Sequence, residues 1–224
     1  MAKEPRARFP APAADFNNPH HTSLTIRKSR FETYGCRCRS GKEARAFVEI
    51  IRRHNPDADH NCWAYVAGLP GSTIDIGSSD DGEPSGTAGK PILDALLFSD
   101  TGQICMVVSR WFGGIKLGTG GLSRAYRECA LLNLESMPKI ENIIWIRWNL
   151  RLPYSLYERG AKFLSEIDVK ILNSNFGDSV NMELAVPEDR LDLFQRIVGS
   201  LGNGKLRPVR LDPAQKEHKE SGNV

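Results

Sequence analysis

The sequence predicts an α+β fold in two domains, on three observations. Runs of period-2 alternation and runs of i, i+3, i+4 periodicity succeed one another without an internal repeat. The pattern changes after Pro138, which places a domain boundary near residues 138–142. Beyond it the elements read β-α-β-β-α-β, the order of a ferredoxin-like domain. The expected organisation is a disordered arm over 1–22, rich in Pro, Ala, Asn and charge, an N-terminal domain over 23–140, a ferredoxin-like domain over 141–211 and a frayed tail over 212–224.

Order begins near Ser23. "SLTIRKSRFETYGCRC" has strand chemistry, with a break at its charged middle. Ser40 and Glu43 stand at capping-box spacing, and Ala44, Phe47, Val48 and Ile51 then recur with helical period until Asn55-Pro56 stops them. Strands are expected over 61–69 and 72–78, then a loop, "SSDDGEPSGTAGKP", and a helix opening at Pro91. "QICMVVSRWF" (103–112) reads as a buried strand. After a Gly-rich loop, a helix puts Leu122, Ala125, Tyr126, Cys129 and Leu132 on one face.

In the second domain, Ile144, Ile146, Trp148 and Leu150 alternate along a strand. "YSLYERGAKFLSEI" is helical, and "VKILNSNF" and "SVNMELAVP" are strands. "EDRLDLFQRIVGSLG" is a helix with Leu191, Phe194, Ile197 and Val198 inward, closed by Gly202. "KLRPVRL" is a last short strand.

Composition bounds the function. With 40% apolar residues in 224, the chain can bury a core, and no apolar run approaches the roughly 18 residues a membrane span needs. The N-terminus has no apolar stretch of signal-peptide type, and five scattered cysteines form no disulfide framework. A cytoplasmic chain without a membrane partner is expected. Residues 1–140 hold 18 Lys and Arg against 15 Asp and Glu, a surplus too small to bind nucleic acid by bulk charge, so any anion site must be local.

Two Gly-rich loops each precede a helix. Helix N-termini present backbone N–H groups without intrahelical partners and a positive dipole end, and glycine lets backbone approach an anion closely. "SGTAGKP" (85–91) and "GTGGLSR" (118–124) are therefore two candidate anion cradles. The first offers Ser85, Gly86, Thr87, Gly89 and Lys90. The second, with its lead-in, offers Arg110, Trp111, Gly113, Gly114, Lys116, Gly118, Thr119, Gly120, Gly121 and Arg124. Alternatively the glycines only make tight turns and close helix packing. Trp111 and Phe112 either pack in the core or expose a ring on which a base stacks.

Neither loop is a Walker A motif or a GxGxxG fingerprint: Pro91 follows Gly89-Lys90, and Ser123 stands where the third Gly belongs. Asp80, Asp81 and Glu83 beside the first cradle are candidates for a hard cation such as Mg²⁺. Their alternatives are a solvated turn, acceptance of hydrogen bonds from loop N–H groups, or positioning of Lys90 or Arg110. His54, His60, Cys62, Cys36 and Cys38 lack zinc-site spacing, and no catalytic triad is readable.

"SDDGEPSGTAGKPIL" followed by "VVSRWFGGIKLGTGGLSRAY" resembles the signature of the YigZ/IMPACT family, and "KSRF" (28–31) and "ADHNCWAYVAG" (58–68) resemble its weaker motifs. The resemblance covers about residues 23–211 and is to the bacterial YigZ-like branch. It implies an N-terminal ribosomal-protein-like β-α domain, as in elongation factor G and the GHMP kinases, and a C-terminal domain similar to the last domain of elongation factor G. The RWD domain of eukaryotic IMPACT proteins has no counterpart here, so their competition with a stress kinase is not expected. The resemblance points to a cytosolic RNA- or ribosome-associated regulator of translation, with a translation-related protein partner as a further expectation. It is expected to be non-enzymatic, cofactor-free and monomeric. The alternative is a Mg-dependent enzyme or binder acting on a small phosphorylated or nucleotide substrate; a third is a protein-binding adaptor.

Overall fold

A computed structural model describes residues 7–211. The chain divides at residue 142 into a larger unit, residues 9–142, and a smaller one, residues 143–211 with 7–8. The larger unit contains β1 (Arg8–Pro12), β2 (His20–Ile26), β3 (Ser29–Arg37), α1 (Gly41–His54), β4 (His60–Val66), β5 (Ile76–Ser79), α2 (Gly89–Leu97), β6 (Ile104–Trp111), α3 (Thr119–Ser136) and β7 (Lys139–Ile143). Five strands form an antiparallel sheet in the order β2-β3-β6-β4-β5, and β1 pairs with β7.

The sheet is covered on both faces, which explains the unbroken apolar run of β6. Ile104, Met106 and Val108 face α2 and α3, and Cys105 and Val107 face α1. Ser40 caps α1 as its spacing predicts, its hydroxyl accepting from the Glu43 N–H at 3.2 Å. The helix buries Ala44, Phe47, Val48 and Ile51, with each of the three larger side chains contributing roughly 1.5–3 kcal/mol. The break in the first hairpin is a two-residue turn, Arg27 and Lys28, both at positive φ (45° and 67°), joining β2 to β3.

Three expectations are corrected. Residues 8–12 form a strand with Phe9 and Ala11 buried, and Phe16 packs 5.5 Å from Phe47, so the described part of the arm expected over 1–22 is ordered. Its Pro-rich composition masks the period-2 pattern of Phe9 and Ala11. Residues 1–6 and the tail expected over 212–224 lie outside the described residues. On α3, Leu132 is exposed, and Ala130, Asn133 and Leu134 extend the buried face instead. The strand expected over 72–78 is β5, which starts at Ile76.

The smaller unit holds β8 (Trp145–Leu152), α4 (Tyr154–Ser165), β9 (Lys170–Phe176), β10 (Val180–Pro187), α5 (Leu191–Leu201), entered through a 3₁₀ turn at Glu188–Arg190, and β11 (Val209–Arg210). Its antiparallel sheet runs β11-β8-β10-β9. Leu150, Leu152, Met182, Leu184 and Val186 meet Leu164, Phe194 and Val198 of the two helices in one core. Among the described residues no helix is long and apolar enough to cross a membrane.

Candidate functional site

The two Gly-rich loops lie side by side at one edge of the larger unit. A cavity of about 440 Å³ is lined by Glu83 and Pro84, which precede the first cradle (no residue of 85–91 lines it), and by Lys116, Leu117, Gly118 and Thr119 at the second. Asp59, His60, Arg110, Phe112 and Leu122 complete it.

The loops differ in what they offer. In the first, the N-terminus of α2 is already occupied. Asp80 accepts hydrogen bonds from the N–H groups of Gly86 (2.8 Å), Ala88 (2.9 Å) and Gly89 (2.8 Å). Partial burial works against its ionisation, yet these three donors outweigh it and hold the carboxyl below the ordinary carboxylate range. Thr87 is buried, its hydroxyl donating to the Pro84 carbonyl at 2.6 Å. Gly89 serves packing: a Cβ there would meet the Ser79 backbone at 2.7 Å. Ser85 and Lys90 are exposed outside the cavity lining. The first cradle is thus filled from within, by one of the alternatives its sequence leaves open.

In the second loop, α3 starts at an N-cap glycine, Gly118, with φ of 71° and no side-chain cap. The first intrahelical bond is Leu122 N–H to the Gly118 carbonyl, at 2.9 Å. The N–H groups of Thr119, Gly120 and Gly121 precede it, at the positive end of an 18-residue helix that opens on the cavity. Lys116 stands beside them, and Phe112 presents an exposed ring. The remaining candidates point elsewhere. Trp111 lies under the Arg30 guanidinium, 3.8 Å from its ring centre. Gly113 lets the loop pass the Lys28 backbone, where a Cβ would come within 2.0 Å. Gly114 faces open space. Arg124 is the exception: it lines a second cavity with Arg127 and Glu128, but its guanidinium reaches back to Gly120, 3.9 Å from where a Cβ would stand.

The cavity floor is a buried polar cluster. Arg110, on β6, shares a face with Ile104, Met106 and Val108, and its cross-strand neighbours are Phe31 on β3 and His60 on β4. It donates to Glu83 Oε1 at 2.5 Å and to Ser29 Oγ at 3.2 Å, while its Nε has no partner. Tyr126 donates to the same Glu83 oxygen at 2.8 Å. Burial, then Cys62 and Glu83, push the Tyr126 phenol well above its ordinary value and keep it a donor. His60 Nδ1 meets the Asp81 carbonyl at 2.9 Å, and the Asp81 carboxylate takes Arg52 at 2.6 Å and the Asn61 N–H at 2.7 Å.

The three acidic candidates for a cation are therefore separately engaged by protein donors. Among the described residues no group of three or more His, Cys, Asp or Glu is arranged to hold a metal ion. Asp59 and His60 lie within the weaker motif at 58–68, but its residues do not show that pairing with Arg110 across β4 and β6 brings them to the glycine loops.

Comparison with known proteins shows the family to which the chain belongs. The Impact N-terminal domain family matches residues 27–134. The chain is 40% identical over 184 residues to an IMPACT family member of Haemophilus influenzae, covering 81% of this chain and 88% of that protein. The chain belongs to the IMPACT family. This IMPACT-family chain is also 37% identical to IMPACT family member YigZ of Escherichia coli, over 84% of its own length and 92% of YigZ. A solved crystal structure of a hypothetical protein superposes with a TM-score of 0.66 at 35% identity, over 92% of this chain and 98% of that one.

Proposed function

We propose that this IMPACT-family chain is a cytosolic, RNA- or ribosome-associated protein of translation regulation that holds an RNA phosphate at the N-terminus of α3. One observation carries the reading: α3 opens uncapped onto the cavity, with Lys116 beside it and the Phe112 ring exposed at the same opening. Unpartnered N–H groups and a lysine suit a phosphate, and an exposed ring suits a base. Family membership supports a translation-related role. The strand order β11-β8-β10-β9 supports reading the smaller unit as ferredoxin-like, and the larger unit is read as ribosomal-protein-like. A translation-related protein partner and a monomeric state belong to the same proposal.

The test is a fluorescence titration of single-stranded RNA against the full chain at several KCl concentrations. Binding is expected to weaken steeply with salt and to weaken again in Lys116→Ala. Equal affinity of wild type and Lys116→Ala would remove this site from the reading.

A second reading, a binder of a small phosphorylated or nucleotide ligand, is favoured by the buried floor and the volume of the site. Its floor residues Glu83 and Arg110 are buried, and about 440 Å³ is within the range of small-ligand pockets. Magnesium finds no support here, since Asp80, Asp81 and Glu83 already serve protein donors. Tighter binding of mononucleotides than of oligonucleotides would select this reading.

A further inference from the structure

On the cavity floor Glu83 Oε2 and His60 Nε2 face each other without a direct hydrogen bond. Both hydrogen bonds that Glu83 accepts fall on Oε1, from Arg110 and Tyr126. Its other oxygen, Oε2, lies 4.0 Å from His60 Nε2. That separation is too long for a hydrogen bond. The partner of His60 Nδ1 is a carbonyl oxygen, which only accepts, so Nδ1 carries the ring proton. In the neutral ring Nε2 is then an acceptor. Glu83 is 8% exposed, the His60 side chain is 26% exposed, and both line the cavity. An acceptor pair of this kind, reachable from the cavity, calls for a ligand with two adjacent donors.

From these contacts we propose that the cavity recognises the vicinal 2′,3′-diol of a terminal ribose. One hydroxyl donates to Glu83 Oε2 and the other to His60 Nε2, while the 5′ phosphate of the same nucleotide sits at the α3 N-terminus and Lys116. A vicinal diol presents two hydroxyl donors side by side, as a carboxylate and an imidazole 4.0 Å apart require. A carboxylate on the ribose hydroxyls is also the contact by which dinucleotide folds hold their ribose. The inference rests on the reading of α3 as a phosphate site and names the ligand class: a ribonucleoside monophosphate with a free diol, either the 3′ end of an RNA or a free ribonucleotide. An internal nucleotide, whose 3′ oxygen is esterified, and a deoxynucleotide each lack one donor. Leaving a buried acceptor unpaired is costly, so the discrimination is expected to be large.

The experiment uses the full chain and three probes: a short RNA, the same RNA ending in a 2′,3′-dideoxynucleotide, and adenosine 5′-monophosphate as competitor. The intact RNA is expected to bind at least about tenfold tighter than the dideoxy-ended RNA. Glu83→Gln and His60→Ala are each expected to narrow that ratio toward one. The ligand-side deletion needs no variant, so a folding defect in Glu83→Gln does not block the test. Competition by the mononucleotide at the affinity of the RNA identifies the free ribonucleotide as the source, and much weaker competition identifies the RNA end. Equal binding of both RNAs would overturn the diol inference and leave the phosphate site standing; binding of no probe would overturn both.

Discussion

Asp80 and Gly89 lie at opposite ends of a loop, yet the Asp80 carboxylate accepts the Gly89 N–H at 2.8 Å and so caps α2 from nine positions upstream. Asp80→Ala is expected to cost about 1–2 kcal/mol of stability. The folded carboxyl is held below its unfolded value of about 3.9. Its contribution is therefore complete above about pH 4 and is lost as pH falls through the lower folded value. Urea unfolding at neutral and acid pH should show the wild-type advantage shrinking on acidification. An advantage that stays constant with pH would rule out an ionised cap.

Arg110 and Glu83 are a charged pair removed from water, with side chains 7% and 3% exposed. Taking away one partner leaves the other charge buried, so Arg110→Met alone is expected to cost roughly 3–5 kcal/mol. Replacing both, Arg110→Met with Glu83→Leu, should cost less than the two single changes added. A double-mutant cycle by denaturant unfolding measures this coupling, and strict additivity would contradict it.

These two relationships mark the limit of what the sequence displays. Periodicity locates most elements of both units, β1 and β7 excepted, because each side chain's burial follows its own strand or helix: Phe47 and Ile51 on α1 are legible without knowing what covers them. The motif locates the loops for the same reason. What each loop does depends on pairing across the fold. Asp80 sits inside the motif, but its role as a cap appears only when the loop folds back onto α2. His60 reaches the cavity because the β4–β6 register sets it opposite Arg110, a relationship that spans 50 residues of chain and leaves no local pattern.

Gly113 and Gly118 are both needed, for different reasons. A Cβ at Gly113 would lie 2.0 Å from the Lys28 carbonyl, and backbone there cannot yield cheaply. Gly113→Ala is expected to destabilise by about 3 kcal/mol through overpacking and to displace the loop. Gly118 has open space, but its φ is 71°. Gly118→Ala should cost only about 1–2 kcal/mol. Thermal unfolding of the two variants separates crowding from backbone strain, and an equal loss in both would contradict the distinction.

Lys116 and Arg124 flank the same stretch of sequence but should contribute unequally toward RNA. Lys116 lines the cavity at the α3 N-terminus, whereas Arg124 lines a cavity with Leu24 and Leu131. A phosphate held by Lys116 releases counterions, so Lys116→Ala is expected to reduce the slope of log affinity against log salt by about 0.7 for a single strand. Arg124→Ala, whose guanidinium reaches Gly120 from outside the cavity, should reduce both affinity and slope less than Lys116→Ala. The measurement is the same titration repeated over a range of KCl for the two variants. If Arg124→Ala flattens the slope and Lys116→Ala does not, the phosphate lies on the outer face of α3, away from the floor formed by Glu83 and Arg110.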